Sequence, residues 1–369
     1  LPRIFTPAAV CCLTKNGAAS LRQEDRNFTM TRLLLTAALF ALCFSFGHAV
    51  AQPATDLVFP SNAEGADGKL DKVVAELFDD RGATRAVLVV EEGRVKAERY
   101  ANGYGPDTVF PAYSITKSLT STMVGILARA GRLDIHARAD VSEWRGRDDP
   151  RRAIKLVDLL QMSSGIDSNE QVADLNSDTM TMLFGSGRYD VAHHAAAHPL
   201  KYRPGSYFTY SNSTTNVISG IVGRTIGGGE RGVRAFLDKT LFDPLNIRSA
   251  VLGFDDAGTL VGSTYSAMTA RDFARFGLLY ARGGMSPKGR ILSEEWVRFV
   301  STPGAASVGG YGGQFWIGPW STKPSVVASW PADGFSMRGF HGQLVIMSPR
   351  RELVIVILGN AALIKGIDE

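Results

Sequence analysis

The chain has 369 residues and a formal net charge of +4 at pH 7. Its first 51 residues hold five basic and two acidic side chains, so the remaining 318 residues are close to neutral at +1. That balance gives no electrostatic footprint for nucleic acid or an acidic membrane, and the sequence predicts neither as a partner. The hydrophobic content of 45% and the 39 glycines fit a globular protein of helices and strands.

The N-terminal region predicts a secretory signal. Met30 begins a short basic segment, positions 33–46 are almost wholly apolar, and small residues lead up to Ala51. The 14 apolar positions fall short of the roughly 20 residues that span a bilayer, although a membrane anchor is the alternative. We expect a signal peptide over 30–51, removed before Gln52, and a periplasmic or secreted protein without a stable membrane anchor.

The positions of the cysteines and the chain length characterise the predicted mature chain, 52–369. Residues 1–29 are interpreted as an over-extended gene start or an untidy leader. Cys11, Cys12 and Cys43 all lie before the predicted cleavage point, so the mature chain is expected to have neither a disulfide nor thiol chemistry. Its 318 residues exceed what one simple core usually holds, which predicts two lobes.

Hydrophobic periodicity and turn residues predict an α+β fold. In chain order, the predicted elements are a helix at 71–77, a β-hairpin with strands 86–90 and 95–100, a helix beginning at 114, a short helix at 154–162, a long loop at 167–188, helices beginning at 211 and 232, helices capped by Thr269 and Ser293, and strands at 313–317, 335–340, 343–347 and 353–358. An early hairpin and a late meander predict one antiparallel β-sheet built from both chain ends and flanked by helices. The sheet lobe would take about 70–117 and 300–369, with a mostly helical lobe of about 118–300 inserted into it.

Ser114 and Lys117 form a Ser-x-x-Lys pattern in the first turn of a buried helix. Residues three apart lie on one helical face, so the amine would be within reach of the hydroxyl. The helix N-terminus favours an alkoxide and disfavours a protonated lysine, and a neutral lysine beside a serine can generate a nucleophile. The alternative is an N-cap serine with a solvated lysine, since about one such pattern is expected by chance.

Tyr210 and Asn212 form a Tyr-x-Asn pattern where an extended segment meets a helix. Tyr100-Ala101-Asn102 fits the same pattern, but it ends a strand and precedes the serine. Acyl transfer needs a proton to be taken from the serine and later given to the leaving group. A tyrosine whose pKa is lowered by a nearby lysine can do both. The amide of Asn212 can hold a substrate carbonyl or pin the lysine. The alternatives are a core aromatic and a helix N-cap.

Gly339-Phe340-His341-Gly342-Gln343 lies at the head of a predicted strand. Glycines let a ligand approach the backbone closely. The N–H of Phe340 together with that of Ser114 could form an oxyanion hole, usually the largest single contribution to catalysis. The alternative is a β-bulge with a lone structural histidine at 341.

A small histidine cluster includes His194 and His198, four residues apart. That spacing could place both on one helical face as metal ligands. No glutamate lies in the intervening turn and no third ligand can be named. A solvated helix is favoured, and the sequence predicts neither a metal nor a cofactor.

Taken together, the three motifs resemble those of serine β-lactamases, penicillin-binding proteins and related esterases, and they occur in the same order. The resemblance covers nearly all of 70–360 and includes the run 159–165 and Pro204-Gly205. Within that superfamily the tyrosine motif is similar to class C β-lactamases and esterases. The 339–343 run resembles 6-aminohexanoate-dimer hydrolases, the nylon-oligomer amidases, in which the N–H at the place of Phe340 completes the oxyanion hole.

This sequence departs from the family patterns at several positions. Val172 stands where class A enzymes keep their deacylating glutamate, and Met337 replaces the lysine of the β-lactamase Lys-Thr-Gly motif, so a penicillin carboxylate would lose a partner. The tyrosine that the nylon-oligomer amidases carry on the long loop has no counterpart between 166 and 187. Their histidine in the tail has no counterpart after Asn360.

The resemblance implies a serine hydrolase that works through an acyl-enzyme on Ser114. Lys117 and Tyr210 would together remove the serine proton, and Tyr210 would return it to the leaving group. The backbone N–H groups of Ser114 and Phe340 would hold the oxyanion. Water would then release the acyl group.

The substrate side is less defined. Asn212 would orient a small ester or amide, and His341 would shape that edge of the cleft. One alternative is a β-lactamase or a D-alanyl-D-alanine carboxypeptidase. Another is a binding or sensor module that kept the fold and lost turnover. The sequence leaves the oligomeric state open.

Overall fold

The computed structural model describes residues 56–59, 68–78, 84–319, 328 and 330–359. The predicted extension 1–29, the signal peptide 30–51 and the tail from Asn360 therefore lie outside the described residues. Within the described residues, no helix is both long and apolar enough to cross a membrane.

The regular elements alternate much as the sequence predicts. The strands are β1 (Thr84–Glu91), β2 (Arg94–Tyr100), β3 (Val109–Pro111), β4 (Val251–Leu252), β5 (Ser266–Thr269), β6 (Met285–Ser286), β7 (Gly289–Arg290), β8 (Trp316–Ile317), β9 (Phe335–Gly339), β10 (Gln343–Ser348) and β11 (Leu353–Gly359). The α-helices are α1 (Gly68–Glu76), α2 (Ile115–Arg129), α3 (Leu156–Leu160), α4 (Asp178–Phe184), α5 (Val191–Ala196), α6 (Asn212–Ile226), α7 (Gly229–Leu237), α8 (Asp243–Leu245), α9 (Ala270–Ala281) and α10 (Glu294–Val300).

The main sheet is built from both ends of the described chain, which confirms the α+β prediction. Its six strands lie in the order β2-β1-β11-β10-β9-β8, and their pairings are antiparallel. The first hairpin turns through Glu92 and Gly93, both with positive φ (52° and 73°), as a two-residue turn between right-twisted strands requires. β1 then pairs with β11 over its whole length.

Both faces of this sheet are covered. Val87 and Val89 of β1 pack with α1, whereas Leu88 and Val90 belong to a larger cluster that includes residues of α2, α6 and α9. Successive side chains of a strand point to opposite faces, so a strand covered on both sides has to be apolar throughout. Burying each such side chain contributes roughly 1.5–3 kcal/mol to the free energy of unfolding.

Two local predictions needed correction. The long loop predicted over 167–188 contains α4, whose N-cap Ser177 accepts a hydrogen bond from the N–H of Met180. The strand predicted over 313–317 is reduced to Trp316–Ile317, and Gln314 before it has a positive φ of 68°. A left-handed residue cannot continue a strand, which limits β8 to two residues.

Candidate active site

The candidate nucleophile lies at the N-terminus of α2, directly after a strained residue. Tyr113 has a φ of 46°, uncommon for a bulky side chain, while Ser114 returns to right-handed values (φ −68°, ψ −7°). The N–H of Lys117 donates to the carbonyl of Ser114 at 3.1 Å, which places the lysine one turn further on. The Nζ of Lys117 lies 2.9 Å from the Oγ of Ser114, as the spacing of the motif predicts.

The amine of Lys117 is held among acceptors in the protein interior. Only 1% of the residue is exposed, and Nζ donates to the Oδ1 of Asn212 at 2.7 Å and to the backbone carbonyl of Ser263 at 2.9 Å. Burial lowers the pKa of Lys117 to about 7, against an opposing effect of Glu170. A neutral amine has two N–H groups, which the two carbonyl oxygens occupy. Its lone pair is then directed to the hydroxyl of Ser114.

Tyr210 is in the same site, but the structure corrects its expected pKa. Its ring lies 4.9 Å from the Nζ of Lys117 and packs against the rings of Trp316 (5.2 Å) and Tyr311 (5.8 Å). Burial raises the pKa of Tyr210 well above 10, and a hydrogen bond with Ser114 offsets this only in part. The prediction that the lysine lowers this pKa is therefore wrong. At the high pH where a phenol ionises, a lysine with a pKa of about 7 is neutral and supplies no charge to stabilise a phenolate. Tyr210 is therefore a hydrogen-bond donor.

Asn212 is fully engaged with the protein. Its Oδ1 accepts from Lys117, while its Nδ2 donates to Glu170 at 3.1 Å and to Thr179 at 3.2 Å. Both N–H groups of the amide are thereby used. Of the two alternatives that the sequence left open, these contacts favour a pin on the lysine over the predicted binding of a substrate carbonyl.

The end of β9, directly before Phe340, meets the segment before Ser114. A Cβ on Gly339 would lie 2.2 Å from the carbonyl oxygen of Ala112, so only glycine permits this approach of two backbones. The ring of Tyr113 makes an edge contact with His341, whose φ is 61°. Strained residues of this kind cluster at functional sites. The structure brings Ser114 and Phe340 into adjacent segments, and the oxyanion hole stays a prediction.

Glu170 is a member of this site that the sequence did not reveal. Its carboxylate accepts six hydrogen bonds from the segment 168–179 and the start of α6. The donors are the hydroxyls of Ser211 (2.6 Å), Ser168 (2.7 Å) and Thr179, the N–H groups of Asn212 (2.9 Å) and Ser213 (3.3 Å), and the side-chain amide of Asn212 (3.1 Å). No local motif indicates it, because its partners at 211–213 are about 40 residues away in the chain.

Arg338 is a second residue that sequence reasoning passed over. Its Nε donates to Ser336 at 2.9 Å, another guanidinium nitrogen donates to the carbonyl of Gly318 at 2.7 Å, and its guanidinium carbon lies 5.2 Å from the ring centroid of Trp316. Burial lowers its pKa to about 10, partly offset by Tyr210. Met337 is buried in the core, since alternate residues of β9 face opposite sides. The basic residue of this strand that lies near Tyr210 is therefore Arg338.

Two further candidates lie apart from these contacts. The hydroxyl of Tyr100, in the second Tyr-x-Asn pattern, donates to Glu98 at 2.6 Å, and Glu98 is in turn paired with Arg271, which indicates a structural role. His194 and His198 lie with Asp178 as a third potential ligand, with ligand atoms within 4.8 Å of one another. Tetrahedral zinc bound at 2.0–2.1 Å would need ligand atoms about 3.3 Å apart. The absence of a metal stays a prediction.

The fold and the site together define a serine hydrolase with a Ser-Lys-Tyr arrangement on an antiparallel sheet. The profile of the β-lactamase family matches residues 70–363, and the chain belongs to that family. A curated relative, the 6-aminohexanoate-dimer hydrolase of Paenarthrobacter ureafaciens, is 31% identical over an alignment of 317 residues. The match covers 79% of this chain and 78% of the relative.

Solved structures share the fold. A provisionally named 6-aminohexanoate-dimer hydrolase from Bacillus anthracis superposes with a TM-score of 0.65 at 24% identity, covering 78% of this chain and 76% of that one. A penicillin-binding-protein homologue from Caulobacter crescentus gives a TM-score of 0.59 at 16% identity, with 84% and 94% covered. These likenesses confirm the predicted β-lactamase/transpeptidase-like fold.

Proposed function

We propose that this serine hydrolase cleaves a small amide or ester through an acyl-enzyme on Ser114. The observation that carries the proposal is the environment of Lys117, whose amine lies 2.9 Å from the Ser114 Oγ and donates to two carbonyl oxygens. A solvated lysine would be protonated and could not accept a proton. A buried lysine with its pKa lowered to about 7 can serve as a general base at neutral pH.

In acylation, the Oγ of Ser114 attacks the substrate carbonyl while its proton moves to the Nζ of Lys117. The N–H groups of Ser114 and Phe340 are proposed to hold the oxyanion. Tyr210, a neutral phenol because burial raises its pKa, donates a proton to the leaving nitrogen or oxygen. The proton on Lys117 then replaces the one that Tyr210 gave, so the site regains its starting protonation.

Deacylation uses the same groups in the same roles, with water as the nucleophile and the Oγ of Ser114 as the leaving group. Water attacks the ester carbonyl of the acyl-enzyme, and neutral Lys117 takes its proton. Tyr210 donates to the departing Oγ of Ser114 and is reprotonated from the lysine. No group outside the proposed site is required, and the bond that forms in the first half is the bond that breaks in the second.

The substrate class is proposed from the walls of the site and from the curated relative. The rings of Tyr210 and Trp316 are partly exposed and lie 5.2 Å apart, and the buried ring of Tyr311 contacts both at 5.0–5.8 Å. Tyr210 and Trp316 are proposed to form an apolar wall beside the Ser-Lys pair. The named substrate of the relative, a 6-aminohexanoate dimer, has a linear aliphatic acyl chain that would suit such a wall. We therefore favour short linear amides and esters.

The decisive experiment is a burst assay with short-chain 4-nitrophenyl esters, paired with mass spectrometry after fluorophosphonate treatment. The expected result is one equivalent of nitrophenol released rapidly and one adduct per chain, both absent from Ser114→Ala. Linear amides and a chromogenic cephalosporin then separate an amidase from a β-lactamase. A wild-type chain with neither burst nor adduct would instead support a binding module.

The proposed location is the periplasm or the extracellular medium, on the basis of the signal sequence over 30–51. Expression of the full chain in a Gram-negative host, with fractionation and N-terminal sequencing, tests this. A mature chain beginning at Gln52 in the periplasmic fraction is expected. Retention of the uncleaved chain in the cytosol would contradict it.

A further inference from the structure

Glu170 is a partly buried residue whose carboxylate the proposed proton transfers do not use. It lies against the first turn of α6, where it accepts from the N–H groups of Asn212 and Ser213. The positive end of a helix stabilises an anion there. Burial by itself would raise the pKa of Glu170, but the hydroxyl groups of Ser211, Thr179 and Ser168 donate to it and bring the pKa below its ordinary value. The group is therefore ionised at neutral pH.

A carboxylate in this setting is unsuited to act as a base. Two carboxylate oxygens offer about four lone-pair positions, and Glu170 already receives six hydrogen bonds. No position remains to receive a proton from a water molecule. Its contacts instead suggest that it fixes the groups that donate to it.

Asn212 is the donor through which Glu170 reaches the site. Because the Nδ2 of Asn212 donates to Glu170 and Thr179, the amide cannot turn over without placing its oxygen against two acceptors. The Oδ1 is thereby directed to the Nζ of Lys117, 2.7 Å away. A reversed amide would present N–H groups to the amine of Lys117 and would donate to its lone pair, which would then no longer be available to the hydroxyl of Ser114.

Glu170 also contributes a charge. Its negative charge raises the pKa of Lys117, against the larger effect of burial. The other ionisable groups around the pair are Tyr210, whose ring lies 4.9 Å from the amine, and Arg338, which interacts electrostatically with Tyr210. Both are on other elements, so a change at position 170 alters the field at Lys117 without replacing either.

We propose that Glu170 is a positioning residue of the active site, which orients the amide of Asn212 so that the amine of Lys117 faces Ser114. This inference rests on the proposed function and adds a role for the segment between α3 and α4. It predicts that the geometry and the charge of Glu170 have separable effects on catalysis.

Two variants separate these effects. Glu170→Gln keeps the size of the side chain but removes its charge. It also places an NH2 group against partners that themselves donate hydrogen bonds. We expect the plateau of the acylation rate to fall at least about tenfold, and the acidic limb of its pH profile to move to lower pH, because the lysine loses a stabilising anion. Glu170→Asp keeps the charge but shortens the reach. We expect a lower plateau with the limb unmoved.

Glu295→Gln, at an exposed position of α10, is the matched control and is expected to change neither quantity. Thermal melts show whether each variant is folded at the assay temperature, and Ser114→Ala reports on the proposed function itself.

If Ser114→Ala abolishes the adduct while Glu170→Gln leaves the plateau and the limb of the acylation profile as in the wild type, the positioning role is refuted and the proposed function stands. A lower plateau with an unmoved limb in Glu170→Gln would reduce Glu170 to a structural residue. If Ser114→Ala still forms the adduct, both proposals fail.

Discussion

The pH dependence of acylation is set by the environment of Lys117. With its ordinary pKa of 10.5, only about one lysine in 3,000 would be neutral at pH 7, whereas a pKa lowered to about 7 makes about half of them neutral. Burial thus increases the fraction of functional base by about three orders of magnitude. We expect the rate of acylation to rise with pH through a single limb with a midpoint near 7 and then to level off.

Stopped-flow measurement of the nitrophenol burst between pH 5.5 and 9 gives this profile, and Lys117→Ala provides the comparison. The variant is expected to acylate at least about a hundredfold more slowly, the scale of losing a general base, and to lack the limb near pH 7. A wild-type rate that is constant over this range, or that rises only near pH 10, would show that the lysine is not the base. Retained acylation by a folded Lys117→Ala would reassign the base to another group.

Three further outcomes are expected. Tyr210→Phe should slow acylation by a linear amide, measured in single turnovers, by about a hundredfold or more but slow the nitrophenol burst from a nitrophenyl ester far less, because nitrophenolate leaves without a proton; equal losses in the two acylation rates would argue against proton donation by Tyr210. Because burial lowers the folded pKa of Lys117 to about 7 while the unfolded chain keeps about 10.5, the free energy of unfolding should rise with pH between these values, by up to about 5 kcal/mol. Lys117→Met should flatten that slope in urea denaturation series, and an unchanged slope would contradict the assigned burial. Gly339→Ala should lower acylation at least about tenfold, since its Cβ would lie 2.2 Å from the Ala112 carbonyl and force one of the two backbones to move; a full-rate, correctly folded variant would disprove the need for this close approach.

Interactions between near neighbours in the chain could be predicted from the sequence. The helical spacing of Ser114 and Lys117 specifies their contact, since residues three apart share one face of a helix whatever surrounds it. Thr269 and Ser293 cap their helices as predicted, with side chains that accept from the N–H three residues on. The early hairpin is specified by two strand-forming runs that are separated by a short turn containing a glycine.

Interactions between distant segments could not be predicted in this way. Nothing near Glu170 in the sequence indicates that it binds the start of α6, and nothing near Tyr210 indicates the burial that raises its pKa. The strand register likewise determines that Arg338 lies near Tyr210 while Met337 enters the core. Each of these properties depends on which segments are adjacent after folding.

The sequence by itself therefore determined which chemical groups this protein has and which of them stand one helical turn apart. Only the tertiary structure decided their ionisation and their partners, because a pKa depends on burial and on the charges that the fold brings near. Lys117 illustrates both. Its spacing from Ser114 follows from the sequence, while its lowered pKa arises from the interior that α2, α6 and the Ser263 carbonyl form around it.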